Sequence, residues 1–128
     1  MYRKNLTAIV KKLKATGAKV IFATTTPYPD GCIPARLPAD ADLYNGIAKE
    51  IMTANKIQIN DLNKLVKGRL GELQKKKNVH FRPAGNEVLA NKVASVLEAA
   101  LKESKTEDQQ ANEDDTLVEP KVKTEAGE

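Results

Sequence analysis

The sequence predicts an α/β protein with about two parallel strands and four helices. Three observations carry that expectation. Apolar residues recur at helical spacing in four segments, and two short runs rich in β-branched and aliphatic residues lie between them. Glycines and prolines fall at the junctions rather than inside most of the periodic stretches. Alternating helices and strands of this kind build a parallel sheet with crossover helices.

The elements follow in order. Asn5 to Ala15 sets Leu6, Ile9, Val10 and Leu13 on one stripe, with Lys4, Lys11, Lys12 and Lys14 facing solvent. Thr16-Gly17 ends that helix, because glycine adopts the left-handed conformation at least cost. The run Ala18 to Thr25 reads as a buried strand. An irregular loop from Thr26 to Pro38 carries four of its residues as prolines before Asp40 or Asp42 caps a second helix to about Asn55. In that helix Leu43, Ile47 and Ile51 share a face, and Lys56 to Asn60 forms the second strand. Asp61 to about Lys75 is a helical region weakened by Gly68 and Gly71. Pro83 opens the last helix, where its missing N–H costs nothing, and apolar periodicity stops beyond Lys102. Residues 1–103 are therefore the folded part and 104–128 an acidic tail expected to be disordered.

Two strands make a marginal sheet, and the apolar helix faces imply more sheet than 128 residues supply. The expected partners are thus the missing front half of the domain or a second copy of the chain. Composition narrows the function further. One cysteine, Cys32, and one histidine, His80, exclude an intrachain disulfide and a multi-histidine metal cluster. No metal and no cofactor is expected. No apolar run reaches the length of a membrane-spanning helix, and Met1 leads directly into a lysine-dotted helix, so no signal peptide is expected. The sequence assigns no cellular location.

The net charge of +4 conceals a division. Residues 104–128 hold three lysines against eight acids, which leaves +9 on residues 1–103. Such a basic body suits an anionic partner or simple solubility. Its five aromatics do not alternate with basic residues as stacking platforms would, so nucleic-acid binding is not expected. The Thr24-Thr25-Thr26-Pro27 run stands where a strand's carboxyl end meets the ligand crevice of open α/β sheets. Cys32 and His80 are the one nucleophile–base pair of the cysteine–histidine type that the composition permits.

Several stretches resemble the later part of the SGNH hydrolases, the GDSL-type lipases and esterases. They are Tyr2 to Pro27, Tyr44-Asn45 with Ile51-Met52, Ile57 to Leu62, and above all Val79-His80-Phe81 with Pro83 and Gly85 followed by Leu89-Ala90. The resemblance covers residues 2 to about 101. It implies a flavodoxin-like three-layer α/β/α fold, here incomplete, and hydrolysis of carboxylic esters, often acetyl esters of carbohydrate or lipid-type esters. It also implies a serine nucleophile in an early block, oxyanion-hole donors in two further blocks, and a histidine base oriented by an aspartate three residues before it.

On that resemblance His80 is the general base. Lys77 stands three residues before it and cannot accept the imidazole proton. Asn78 is the available substitute: its amide oxygen can accept, but it brings no charge to stabilise an imidazolium. The serines are Ser95, inside the last helix, and Ser104, at the start of the tail, and neither sits on a strand-to-helix turn. The chain alone is therefore expected to be a truncated or inactive form of such an esterase, with a small ester as substrate only if the domain is completed. The alternative is a non-catalytic α/β binding or scaffold module with a basic surface.

Overall fold

A computed structural model of the chain describes the backbone of residues 1–115 and the side chains of residues 1–106. The expected alternation is present, with α1 (Tyr2–Lys14), β1 (Ile21–Ala23), α2 (Pro38–Ala54), β2 (Gln58–Asn60), α3 (Leu62–Lys67), α4 (Leu70–Leu73) and α5 (Pro83–Asp115). The chain is an α/β protein, with two parallel strands among the described residues. Ile21 pairs with Gln58, Phe22 with Ile59 and Ala23 with Asn60. The Thr24 N–H extends this ladder to the Asn60 carbonyl at 3.1 Å.

Among the described residues five helices replace the four expected. The region after Asp61 divides at Gly68-Arg69, because glycine is a poor helix former and Arg69 has left the helical region, with φ −128° and ψ 21°. The second helix starts at Pro38 rather than at an Asp40 or Asp42 cap. Proline at the first helical position is preorganised for the turn, and Asp40 instead sits inside that turn. Its buried face also differs from the expected Leu43–Ile47–Ile51 line. Ala41, Asn45, Ala48 and Met52 point inward together with Ile51, while Leu43 is exposed. Ala41 and Ala48, the small residues of this face, leave room for α2 to pack closely.

Helix α5 continues to Asp115, past the expected stop at Lys102. The end of an apolar stripe removes the reason to pack, but not the reason to be helical. Glu103 to Asp115 holds three Glu, two Gln, one Lys and one Ala among its 13 residues, and neither glycine nor proline to break the helix. Residues 116–128 of the expected disordered tail lie outside the described residues. The chain divides into two units, Met1–Val96 and the part beginning at Leu97.

Two apolar clusters hold the first unit together. Val10, Ile51, Met52 and Ile57 form one, with Leu6, Val20, Phe22, Ile47 and Ile59 packed on it. This cluster joins α1 and α2 to the sheet. Val66, Leu73 and Phe81 form the second, backed by Leu70, Val88 and Leu89, and it joins α3 and α4 to the start of α5. The predicted α1 stripe is only half used. Val10 is buried, yet Ile9 and Leu13 are 52% and 44% exposed. A two-stranded sheet is too narrow to cover the whole stripe. Gly17, with φ +75°, turns the chain after α1 as the sequence predicts.

Candidate functional site

The carboxyl ends of β1 and β2 bring together a set of polar side chains with few exposed atoms. Thr24 is buried and its hydroxyl donates to Asp61 Oδ1 at 3.0 Å while accepting the Asn63 N–H at 2.8 Å. Asn45, buried on α2, accepts the Thr25 N–H at 2.9 Å and donates to the Thr25 carbonyl at 2.7 Å. Asn63 donates to the same carbonyl at 3.0 Å. Lys49 pairs with Asp61 Oδ2 at 2.5 Å, and Asp61 caps α3 by accepting the Lys64 N–H at 3.1 Å. The Thr24–Thr25 end of the strand is therefore clamped from α2 and from α3.

Burial pushes the Asp61 carboxyl upward, but hydrogen bonds from Lys49, the Lys64 N–H and Thr24, together with the Lys49 charge, outweigh it. Its pKa is lowered below the ordinary value. A lowered folded-state pKa contributes stability that is present above the unfolded value of about 3.9 and is lost as pH falls through the folded value. Asp61→Asn keeps a capping residue and removes the charge. At neutral pH it should cost about 1 kcal/mol, since Lys49 is partly solvated. Urea melts repeated below about pH 4 should show the gap between wild type and variant closing. A gap independent of pH would contradict this account.

His80 sits on a tight turn that closes between α4 and α5. Gln74 and Phe81 form an antiparallel bridge, the Lys75 N–H donates to the His80 carbonyl at 3.0 Å, and the Arg82 N–H donates to the Leu73 carbonyl at 2.8 Å. Lys77 adopts a left-handed backbone, with φ 50°, to complete the turn. The Gln74 amide donates to the Pro27 carbonyl at 3.0 Å and to the Val79 carbonyl at 3.2 Å. One buried side chain thus ties the histidine turn to the loop that follows β1.

Asn78 Oδ1 lies 2.7 Å from His80 Nδ1 and accepts the His80 backbone N–H at 2.9 Å. The second bond decides the chemistry of the first. A backbone N–H only donates, so the Asn78 atom it meets is the amide oxygen. That oxygen only accepts, so Nδ1 carries the proton in the neutral ring and Nε2 keeps the basic lone pair. His80 is exposed, and among the described residues no hydrogen bond occupies Nε2. The two site residues picked out by sequence are therefore in direct contact. Lys77 makes no bond to the imidazole.

The candidate nucleophiles are placed elsewhere. Ser95 donates to the Lys92 carbonyl at 3.0 Å and Ser104 to the Ala100 carbonyl at 3.1 Å, both as ordinary helix side chains. The Cys32 thiol is buried and donates to the Pro29 carbonyl at 2.9 Å, so it is not engaged with His80. A cavity of about 460 Å³ opens beside Thr25, lined also by Tyr2, Asn5, Tyr28 and Tyr44. Tyr2 and Tyr44 meet edge to face at 4.7 Å there, and His80 does not line it.

Sequence reasoning found His80, Asn78 and the threonine run but gave no role to Asn45, Asp61, Asn63 or Gln74. A signal for Asn45 was present: it stands in register with Ala41, Ala48 and Met52, a polar residue on the buried face of its helix. Asn60 Oδ1 and Gln74 Oε1 are buried without a hydrogen bond. Among the described residues no group of three His, Cys, Asp or Glu side chains could hold a metal ion, and no helix is long and apolar enough to cross a membrane. No protein-family model matches the chain, and no curated protein matches it.

Proposed function

We propose that His80 is the general base of an SGNH-type ester-hydrolase site whose nucleophile is supplied by residues other than Ser95, Ser104 and Cys32. The observation that carries this reading is the His80–Asn78 pair, with Nδ1 held at 2.7 Å and the other ring nitrogen free to work. In the reaction Nε2 would take the proton of an attacking hydroxyl and later return it to the leaving alcohol. Asn78 fixes the tautomer and ring orientation, and Gln74 fixes the turn against the β1 loop. Because Asn78 is neutral, the imidazolium gains less than it would from a carboxylate. Replacing the aspartate by asparagine costs about 10⁴ in turnover in the chymotrypsin-type triad, so slow turnover is expected here.

The test uses the coding region extended upstream of Met1 and p-nitrophenyl acetate as substrate. The reading expects an in-frame Gly-Asp-Ser block and a Gly-x-Asn-Asp block there. The extended protein should hydrolyse the ester, His80→Ala should bring it to background, and the 128-residue chain alone should stay at background. Hydrolysis that survives His80→Ala would overturn the assignment. An extended protein without those blocks and without activity would favour the non-catalytic binding module.

A further inference from the structure

A second concave surface adjoins the histidine turn. A cleft of about 300 Å³ is floored by Pro29, Leu70 and Gln74 and rimmed by Lys75, Lys76 and Lys77. This volume is at the small end of ligand pockets. The three lysines are exposed and consecutive, and among the described residues none is ion-paired. Asp30 is the acidic residue on the lining, and it is exposed and makes no ion pair with them.

The rim has a defined shape. Lys77 holds its left-handed backbone conformation, and its aliphatic stem passes so close to Gly31 that a Cβ there would sit 3.4 Å from Lys77 Cγ and Cδ. Lysine stems cover apolar surface while their ammonium groups stay in water. Prolyl and leucyl carbons form the floor, and Gln74 contributes a buried carboxamide whose two donor contacts already go to Pro27 and Val79. Its remaining oxygen has no donor and would repel an anion. An anionic head therefore belongs at the lysine rim and an apolar chain on the floor.

We infer that this cleft binds an amphiphilic anion, a medium-chain carboxylate, with its head among Lys75–Lys77 and its tail against Pro29 and Leu70. The charge of the whole body, +9 over residues 1–103, draws such a ligand in but does not localise it. The local lysine rim does. This inference stands apart from ester hydrolysis, since it uses neither His80 nor a nucleophile.

Decanoate, below its aggregation concentration, is the probe for calorimetric titration of the 128-residue chain. Saturable one-site binding is expected, with acetate and decanol each weaker by roughly tenfold or more because each lacks one half of the recognition. The double variant Lys76→Glu/Lys77→Glu should weaken decanoate by roughly tenfold, whereas Lys11→Glu/Lys12→Glu, the same charge change on exposed α1 positions, should leave it within about twofold. Thermal melts of both variants establish that they are folded. Equal loss in the two variants would reduce the effect to net charge and overturn the site. So would equally tight binding of decyltrimethylammonium, or no saturable binding of decanoate at all.

Discussion

Gly85→Ala should destabilise the protein by about 1–3 kcal/mol even though alanine is the better helix former by nearly 1 kcal/mol. Gly85 lies in the first turn of α5, buried against the histidine turn. A Cβ at this position would overlap the Leu73 carbonyl oxygen and approach Phe81 Cδ1 to 2.9 Å and the Leu73 carbonyl carbon to 3.1 Å. The obstacle is backbone, and it is already fixed by the Arg82 N–H at 2.8 Å. It cannot swing aside as a side-chain tip would. Gly46 provides the control. It lies mid-helix in α2, exposed, with nothing within 4 Å of where a Cβ would go. Gly46→Ala should stabilise by about 0.5–1 kcal/mol. Urea melts of the two variants should therefore move in opposite directions, and a Gly85→Ala variant as stable as wild type would refute the close-approach argument.

Leu73→Ala should cost about 2–5 kcal/mol, the range for truncating a fully buried leucine. Leu73 is 0% exposed and belongs to the second apolar cluster with Val66 and Phe81. Helix α4 is only four residues long and cannot hold itself together by its own hydrogen bonds, so packing through Leu73 is what keeps it in place. Leu43→Ala, on the exposed side of α2, should change stability by less than about 0.5 kcal/mol. The double variant Leu73→Ala/Gly85→Ala distinguishes the two effects. Truncating the Leu73 side chain leaves its carbonyl in place, so it should not relieve the clash at Gly85. Partial rescue would mean that α4 shifts when its anchor is removed.

Apolar periodicity located the helices because burial is what periodicity records, whereas the strands, read as Ala18–Thr25 and Lys56–Asn60, shorten to Ile21–Ala23 and Gln58–Asn60, with Asn60 their one buried residue. It lost precision where other forces decide. Pro38 starts α2 through backbone preorganisation, which apolar spacing does not register. Helix α5 extends to Asp115 on intrinsic propensity after its apolar stripe has ended. At the site, His80 and Asn78 were singled out by the resemblance of the Val79–Gly85 stretch to an SGNH histidine block, and their closeness in sequence places them on one turn, where they meet. Asn45, Asp61 and Asn63 were not, because the Thr24 and Thr25 groups they bind lie 20 to 39 residues away and only the folded chain makes them adjacent. Gln74 was hidden in the same way: its Pro27 contact spans 47 residues.

The Asn45 carboxamide bonds to both the N–H and the carbonyl of Thr25, as one peptide unit of an adjacent strand would. Thr25 lies outside the ladder of β1, with an exposed side chain. Its amide proton should nevertheless exchange with solvent at the slow rate of a paired strand amide, opening only when α2 separates from the sheet. Protection at Thr25 thus reports the docking of a helix rather than the pairing of a strand. In Asn45→Ala that proton should exchange at the rate of an open loop while the Phe22 and Asn60 amides, which face into the ladder, retain their protection.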